Sequence, residues 1–505
     1  MKQLAIIALL VSSFFFCRGQ SEKPNSINIS VPYEVDVLDP HAKTRLSNYA
    51  ISSNFYEPLV GTDDTNKILP RLAKSWENPD AYTWVFHLQP NVRFHNGKVM
   101  DAGDVLYTLE RLSTDHNLEV GSYLNDVQEV KALDSTTVHV RTKTPLAIFM
   151  NKLNNILIVP RNSGPVLNSM VNGTGPYRLM EWSPGKIIRL VRNDEYWGNQ
   201  ASIQNVTYFL NRTPQLAMSD LIAGRSQFIQ YDSKKLEPVI RSLGKYQMMR
   251  QDNYFLKYLS YDVSRSVTPY CDSKSNPFKN PLVRKAIHWG INREELIGKL
   301  PTFAVPAFQP VPPFVFGYNP AIQATTHDIA EAKKLLVQAG YANGFGVTLF
   351  VRQILEETGT LIQEQLGKLG IRIRIKVYPD TEFFKMLDNQ DFTFFLSRVG
   401  ATVGDASDIL EPQLHSRSSH PGYGVRNYIG YSNEKVDKAI DESARILKLD
   451  DRRKALEEIM STLMEDLPWV PLYIDQDVYA LHRNFHWKPR HDSHVFAYEI
   501  SIHQD

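Results

Sequence analysis

Residues 327–379 constrain the fold more than any other stretch, because they alternate amphipathic helices with short apolar runs. HDIAEAKKLLVQAGY reads as a capped helix, with Asp328 in its first turn, where the helix dipole favours an acid, and Gly340 after its end. GVTLFV follows as a strand. TLIQEQLGKLG then places Ile362, Leu366 and Leu369 at i, i+4, i+7 on one helical face and leads into the strand IRIRIKVYP. Helices and strands alternating in this way predict at least one open sheet covered by helices, so the fold class is α/β.

The rest of the chain agrees with a mixed class. SINISVPYEV (26–35) reads as a strand and NYAISSNFYEPLV (48–60) as a helix. YTWVFHL, VRFHNG and DSTTVHVRT read as short strands, with helices at 101–112 and near 146–155. GTGPYRLMEW, IIRLVRN and NVTYFLN are strand-like, and PQLAMSDLIAG is a helix ended by Gly224. At 505 residues, length alone suggests roughly two to four domains.

FHNGKVMDAGDVLYTLERL (94–112) gathers a histidine, an asparagine and two carboxylates, and its local chemistry is structural. Asn96-Gly97 is a turn signal, since both residues tolerate positive φ. Asp101 is placed to cap a helix whose first turn holds Asp104 and whose apolar stripe is Val105, Leu109 and Leu112. His95, Asp101 and Asp104 therefore need no ligand.

The first residues, MKQLAIIALLVSSFFFCRGQ, have one lysine and then an apolar run from Leu4 to Phe16. That run is too short to span a bilayer and suits the core of an export signal, which predicts residues 1–19 as a signal peptide. Two fates are open for Cys17: lipid modification, or removal by cleavage after Gly19. Loss of Lys2 and Arg18 takes the 56 basic residues to 54 against 55 acids, a charge near −1. No basic run marks a nucleic-acid surface, so nucleic-acid binding is disfavoured. Cys271 is then the sole cysteine, which excludes an internal disulfide.

The common catalytic motifs are absent. There is no C-x-x-C, H-E-x-x-H or G-x-S-x-G, and no Gly-Lys pair is followed by Ser or Thr, so no phosphate loop exists. GFGVTL (344–349) lacks the third glycine of a dinucleotide fingerprint. His482, His486, His491 and His494 form the best metal candidate by count, but Pro489 interrupts them, and they read as scattered surface histidines. No metal and no cofactor is expected.

Taken in order, the segments Leu38-Asp39-Pro40-His41, NFYEPLV (54–60), ILPRLAKSW (68–76), TWVFHLQPNVRFHNG (83–97), DAGDVLYTLERL (101–112), GTGPYRLMEWSPG (173–185), RNDEYWG (192–198), NPLVRKAIHWGINREELI (280–297) and EAKKLLVQAGYANGF (331–345) form one pattern. The chain resembles the family 5 extracellular solute-binding proteins of ABC importers, the oligopeptide- and dipeptide-binding group. The resemblance implies a two-lobed periplasmic-binding-protein fold, type II-like, with a subdomain inserted in the first lobe. Lobe one would use residues 20–60, 176–260 and 476–505, the insertion 61–175, and lobe two 261–475. Hinges would lie in LKYLSYDV and PLYIDQDV, at Tyr258, Leu259, Ser260, Tyr261, Tyr473 and Ile474. FHNG and its helix would be a landmark of the first lobe's accessory region.

The resemblance implies a non-catalytic, monomeric, exported protein that encloses a peptide or peptide-like solute between its lobes and presents it to a membrane permease. Peptide-binding members hold the ligand's amino group with an aspartate in a G-W-x-x-D segment. The matching stretch here is LSRVGATVGDASDILEP (396–412), and matching Gly404-Asp405 puts the critical position on Thr402 or Ala401, so the expected carboxylate is missing. A free amino terminus is then not the main anchor unless Asp405 or Asp408 takes over, and Asp408 also reads as the cap of a helix starting at Ile409. Arg398, at a strand end, could pair a ligand carboxylate. Alternatives are a metal chelate, suggested by His415 and His420, and an exported hydrolase, for which no nucleophile or metal site can be assembled.

Overall fold

The computed structural model describes residues 25–419 and 422–503. The expected signal peptide, residues 1–19 with Cys17, and also His420, lie outside the described residues.

The helix and strand alternation at 327–379 folds as its pattern predicts. Gly346–Arg352 and Arg372–Tyr378 pair in parallel, and helix Glu356–Gly367 connects them, burying Ile362 and Leu366. Leu369 lies beyond the helix end yet stays buried, because the following turn folds it back on the same core. Parallel strands need such a crossover, since a tight turn cannot join them.

These strands form one end of an eleven-stranded sheet. Phe394–Gly400 lies next to them, followed by two long strands, Tyr246–Tyr261 and Trp469–His482. Beyond those come Phe228–Tyr231, Ser26–Ser30, Asn205–Phe209, Ile187–Arg192 and Tyr177–Ser183, while Ala304–Pro306 pairs beside the main path. The two long strands are thus shared. Their first paired section, Tyr246 to Asp252 against His482 to Gln476, belongs with the lobe-one strands. Their second, Leu256 to Ser260 against Ile474 to Trp469, lies beside Phe394–Gly400 and the lobe-two cores.

A separate four-stranded sheet, Ala73–Asp80, Thr83–Leu88, Thr137–Thr142 and Val127–Ala132, builds the inserted subdomain. Helix Ala102–Thr114 covers it, with Val105, Leu109 and Leu112 packed into a core with Trp84, Phe86, Val138 and Val140. The helix opens on a full capping box: Asp101 accepts from the Gly103 N–H at 2.8 Å, and Asp104 accepts from the Asp101 N–H at 3.1 Å. The FHNG turn closes with Gly97 at φ +86°, the His95 Nε2–H donates to the Gly175 carbonyl at 3.0 Å, and the Gly175 N–H in turn donates to the Phe55 carbonyl of lobe one at 2.7 Å. Gly173, two residues before it, is required by space, since a side chain there would overlap the Phe55 carbonyl.

Four boundaries differ from the sequence expectation, each for a local reason. The first strand stops at Ser30 because Pro32 has no N–H to extend the ladder. The helix expected over 48–60 spans Leu46–Ser52, because the Asn54 side chain donates to the carbonyls of Ala50 and Ile51 and ends it. VRFHNG is a reversal instead of a strand, with the Phe94 N–H on the Lys98 carbonyl. Ala73–Asp80 forms a strand that polar, exposed residues had hidden. Among the described residues, no helix is long and apolar enough to cross a membrane.

Candidate functional site

The last residues of strand Phe394–Gly400 and the loop after it line a cavity of about 520 Å³ on lobe two. Arg398, Thr402 and Asp408 all line it, with Phe255, Tyr258, Arg352 and Arg426. Arg398 sits opposite Lys257 in the sheet register and stacks its guanidinium over the Phe255 ring at 4.9 Å. Among the described residues it forms no ion pair. Burial and the neighbouring Arg352 pull Arg398 below the usual arginine range, with Asp380 opposing. Of the neighbouring cations, Arg352 is gripped by Asp380, with Nε to Oδ1 at 2.9 Å, and Lys257 pairs with Asp475, while Arg426 on the cavity rim is exposed to solvent.

The loop's two aspartates have different fates. Asp405 does not line the cavity; it is 3% exposed and takes both Arg452 Nη atoms at 2.5 and 2.8 Å. Asp408 does line it. The expectation that Asp408 caps a helix is corrected: the short helix Ser407–Ile409 has no side-chain cap, and Asp408 reaches back to accept from the Val403 N–H at 3.3 Å and the Thr402 hydroxyl at 3.2 Å. A carboxylate folded back in this way closes its own loop and stands at the cavity wall. Burial, with a smaller push from Asp405, raises its carboxyl above the usual range, and no cation pairs with it among the described residues. Ala401 is fully buried in the lobe-two core.

Of the hinge residues read from the sequence, Tyr258, Leu259, Ser260 and Tyr261 lie inside the lobe-two section of their strand, while Tyr473 and Ile474 stand near its border. The ladder has two irregularities: one between Lys257 and Tyr258, where Lys257 pairs with Tyr473 but Tyr258 with Pro471, and a larger one before it. Asp252 pairs with Gln476 but Leu256 with Ile474, so Asn253, Tyr254 and Phe255 bulge out of the ladder. Asn253 stabilises the bulge by accepting from the Phe255 N–H at 2.9 Å and donating to Asp477 at 3.0 Å.

The lobes touch around this bulge. The Tyr254 hydroxyl meets Asn66, which donates to the Phe314 carbonyl at 3.5 Å, and Asn151 donates to the Val403 carbonyl at 2.9 Å. The surface reading holds for His486, which is exposed, and is corrected for two others: His494 is buried at 5% exposure because the C-terminal segment packs into the core, and His491 stacks on Phe314 of the other lobe with ring centroids 3.6 Å apart. His415 is likewise buried and faces Asp437 and Asp441. No group of three metal-ligating side chains exists among the described residues.

The sequence profile of bacterial extracellular solute-binding proteins, family 5 Middle, matches residues 67–421. The chain belongs to this family. A curated family relative, the glutathione-binding protein GsiB of Pectobacterium atrosepticum, is 25% identical over 467 residues, covering 88% of this chain and 87% of the relative. The solved structure of MppA, a periplasmic murein tripeptide binding protein in its unliganded open form, matches with a TM-score of 0.82 at 19% identity, over 95% of this chain and 98% of that one. DppA from Helicobacter pylori in complex with the peptide STSA matches with a TM-score of 0.75 at 23% identity, over 95% and 98%. The two-lobed fold is therefore that of the family 5 solute-binding proteins.

Within this family fold, sequence reasoning passed over Arg352, Phe255 and the Asn253 bulge. Arg352 had one readable signal, a charge closing the apolar run GVTLFV. The bulge had none, since it arises from a mismatch between strands more than two hundred residues apart.

Proposed function

We propose that this chain is the solute-binding component of an ABC importer and that it captures a zwitterionic peptide or peptide-like solute. One observation carries the reading: a single cavity presents an arginine without a carboxylate and a carboxylate without a cation, Arg398 and Asp408. Each is costly to leave unmatched in a partly dry site. A ligand carboxylate on Arg398, with its planar fork, and a ligand ammonium on Asp408 would satisfy both together. Asp405 is committed to Arg452 and takes no part.

Closing the second lobe over such a ligand would let the membrane permease distinguish loaded from empty protein, because ligand bridging both lobes stabilises only the closed form. The bulge at Asn253 to Phe255, with Asp475 opposite, is the proposed hinge. The glutathione-binding relative and the peptide-bound neighbour support a peptide-like ligand. Binding without catalysis, export, and a lipid anchor at Cys17 as one of two fates of that residue complete the proposal.

The test has two arms. Mass spectrometry of gently prepared protein identifies what it retains, with intact ligand expected and cleaved product favouring the hydrolase. Calorimetry then compares glutathione and its N-acetyl form on the wild type, Arg398→Gln and Asp408→Asn. Each substitution is expected to weaken glutathione binding by about 1.5–3 kcal/mol, the scale of a hydrogen bond to a charged group, and only wild type should discriminate against the acetylated form. Full affinity in both variants would reject this pocket.

A further inference from the structure

A second cavity, of about 400 Å³, lies within lobe one at its junction with the inserted subdomain, and all of its lining residues come from that half of the molecule. Its acids are already committed. Glu57 accepts from the Tyr196 hydroxyl at 2.7 Å and from the Trp197 indole and the Thr174 hydroxyl, each at 2.9 Å. Asp492 is held by Arg490 at 2.7 Å.

Three donors lack a direct partner. Arg71, a residue that is always charged, lies across Gly61, where an added Cβ would stand 2.7 Å from its Nε; its guanidinium forms no direct ion pair or hydrogen bond among the described residues, and, against burial, Tyr498, Glu57 and Glu499 near it raise it above the usual arginine range. Tyr56 and Ser53, 0% and 5% exposed, also line the cavity, and their hydroxyls complete no hydrogen bond. The Asn172 backbone approaches the first and Tyr49 the second, without completing one. Buried hydroxyls without partners cost stability, so a site that leaves two of them beside a guanidinium with no direct acceptor is built to receive one. Around these donors the walls are aromatic: Tyr196 and Trp197 lie 5.6 Å apart, and Phe496 stacks on Tyr498 at 5.1 Å.

We propose that this cavity is a second binding site, for a small carboxylic acid with a flat apolar body. The carboxylate meets Arg71, Tyr56 and Ser53, and the body lies among Tyr196, Trp197 and Tyr498. Its volume falls at the small end of ligand pockets, which suits a one-ring acid. Because lobe two contributes nothing to the cavity, this site fills without lobe closure and independently of the pocket at Arg398.

Calorimetric titration of the full chain with benzoate tests it, with benzamide as the uncharged control. Wild type is expected to take up benzoate at one saturable site and to ignore benzamide. Arg71→Gln should weaken benzoate at least about tenfold, and Tyr56→Phe about fivefold with no loss of melting temperature, on the scale of one charged and one neutral hydrogen bond. Arg398→Gln should bind benzoate as wild type does, and scattering should show no compaction. If Arg71→Gln fails to fold, Tyr56→Phe decides. Absence of saturable uptake, equal binding of benzamide, or loss of benzoate in Arg398→Gln with retention in Tyr56→Phe would each overturn the proposal.

Discussion

Asp405 and Arg452 are joined through two hydrogen bonds, 2.5 and 2.8 Å long, with the aspartate 3% and the arginine 1% exposed. Arg452 Nη2 also donates to Ser407, and its Nε to the Ser443 carbonyl. The pair ties the loop that carries Asp408 to helix Leu449–Asp466. Asp405 is therefore a support for the ligand loop instead of a contact in it.

Removing one partner should leave a buried charge uncompensated. Asp405→Asn is expected to destabilise the protein by about 3–5 kcal/mol in urea unfolding, the range for breaking a buried ion pair. A loss below 1 kcal/mol would show that water reaches Arg452.

Two buried groups should give pH dependences of opposite sign. Burial, reinforced by Asp405 and Asp126, pushes the Glu411 carboxyl up from 4.5 to about 7, so the folded state holds a proton there that the unfolded state releases. Its contribution is present below pH 4.5 and lost as pH rises towards 7. Glu411→Gln, which mimics the protonated acid, should gain on wild type across that window by at most about 3 kcal/mol and no further above it. His41 runs the other way: the Arg111 Nη1–H donates to its Nδ1 and its Nε2–H donates to the Leu157 carbonyl, an arrangement only the neutral ring satisfies. Burial holds it down to about 4, so its contribution is present above pH 6.5 and lost as pH falls to 4. Urea melts of wild type and Glu411→Gln from pH 4 to 8 check the first sign; parallel curves would refute it.

Lobe closure should be visible in solution. Small-angle scattering is expected to give a smaller radius of gyration with saturating glutathione, or whichever solute co-purifies, than without it. The shared strands break register at Asn253 to Phe255 and again between Lys257 and Tyr258, and motion is expected at the first break, where the lobe-one and lobe-two sections meet. An unchanged radius at saturation would argue against closure.

Much of the fold was legible because it is written in local chemistry. Asp101, Asp104 and the stripe Val105, Leu109, Leu112 specify a capped helix whatever lies around them, and the parallel pair Gly346–Arg352 and Arg372–Tyr378 follows from a helix of fixed length between two apolar runs. The candidate site was half legible. Arg398, Thr402 and Asp408 could be named, but their roles could not, because a carboxylate's role depends on which charges stand within a few ångströms.

Sequence alone determined the α/β class, the order of the segments that mark the family, and the loop that carries the candidate site, since each depends on residues close together in the chain. Tertiary structure decided what those residues do. Forty-seven positions separate Asp405 from Arg452, and only folding brings them together and so frees Asp408, and not Asp405, to face the cavity. The same holds for Arg398, left unmatched because Asp380 reaches Arg352 first, and for Arg71, left without a direct hydrogen bond because Glu57 is held by Tyr196, Trp197 and Thr174. Charge balance in a folded interior is a property of neighbours in space, and the chain order does not record it.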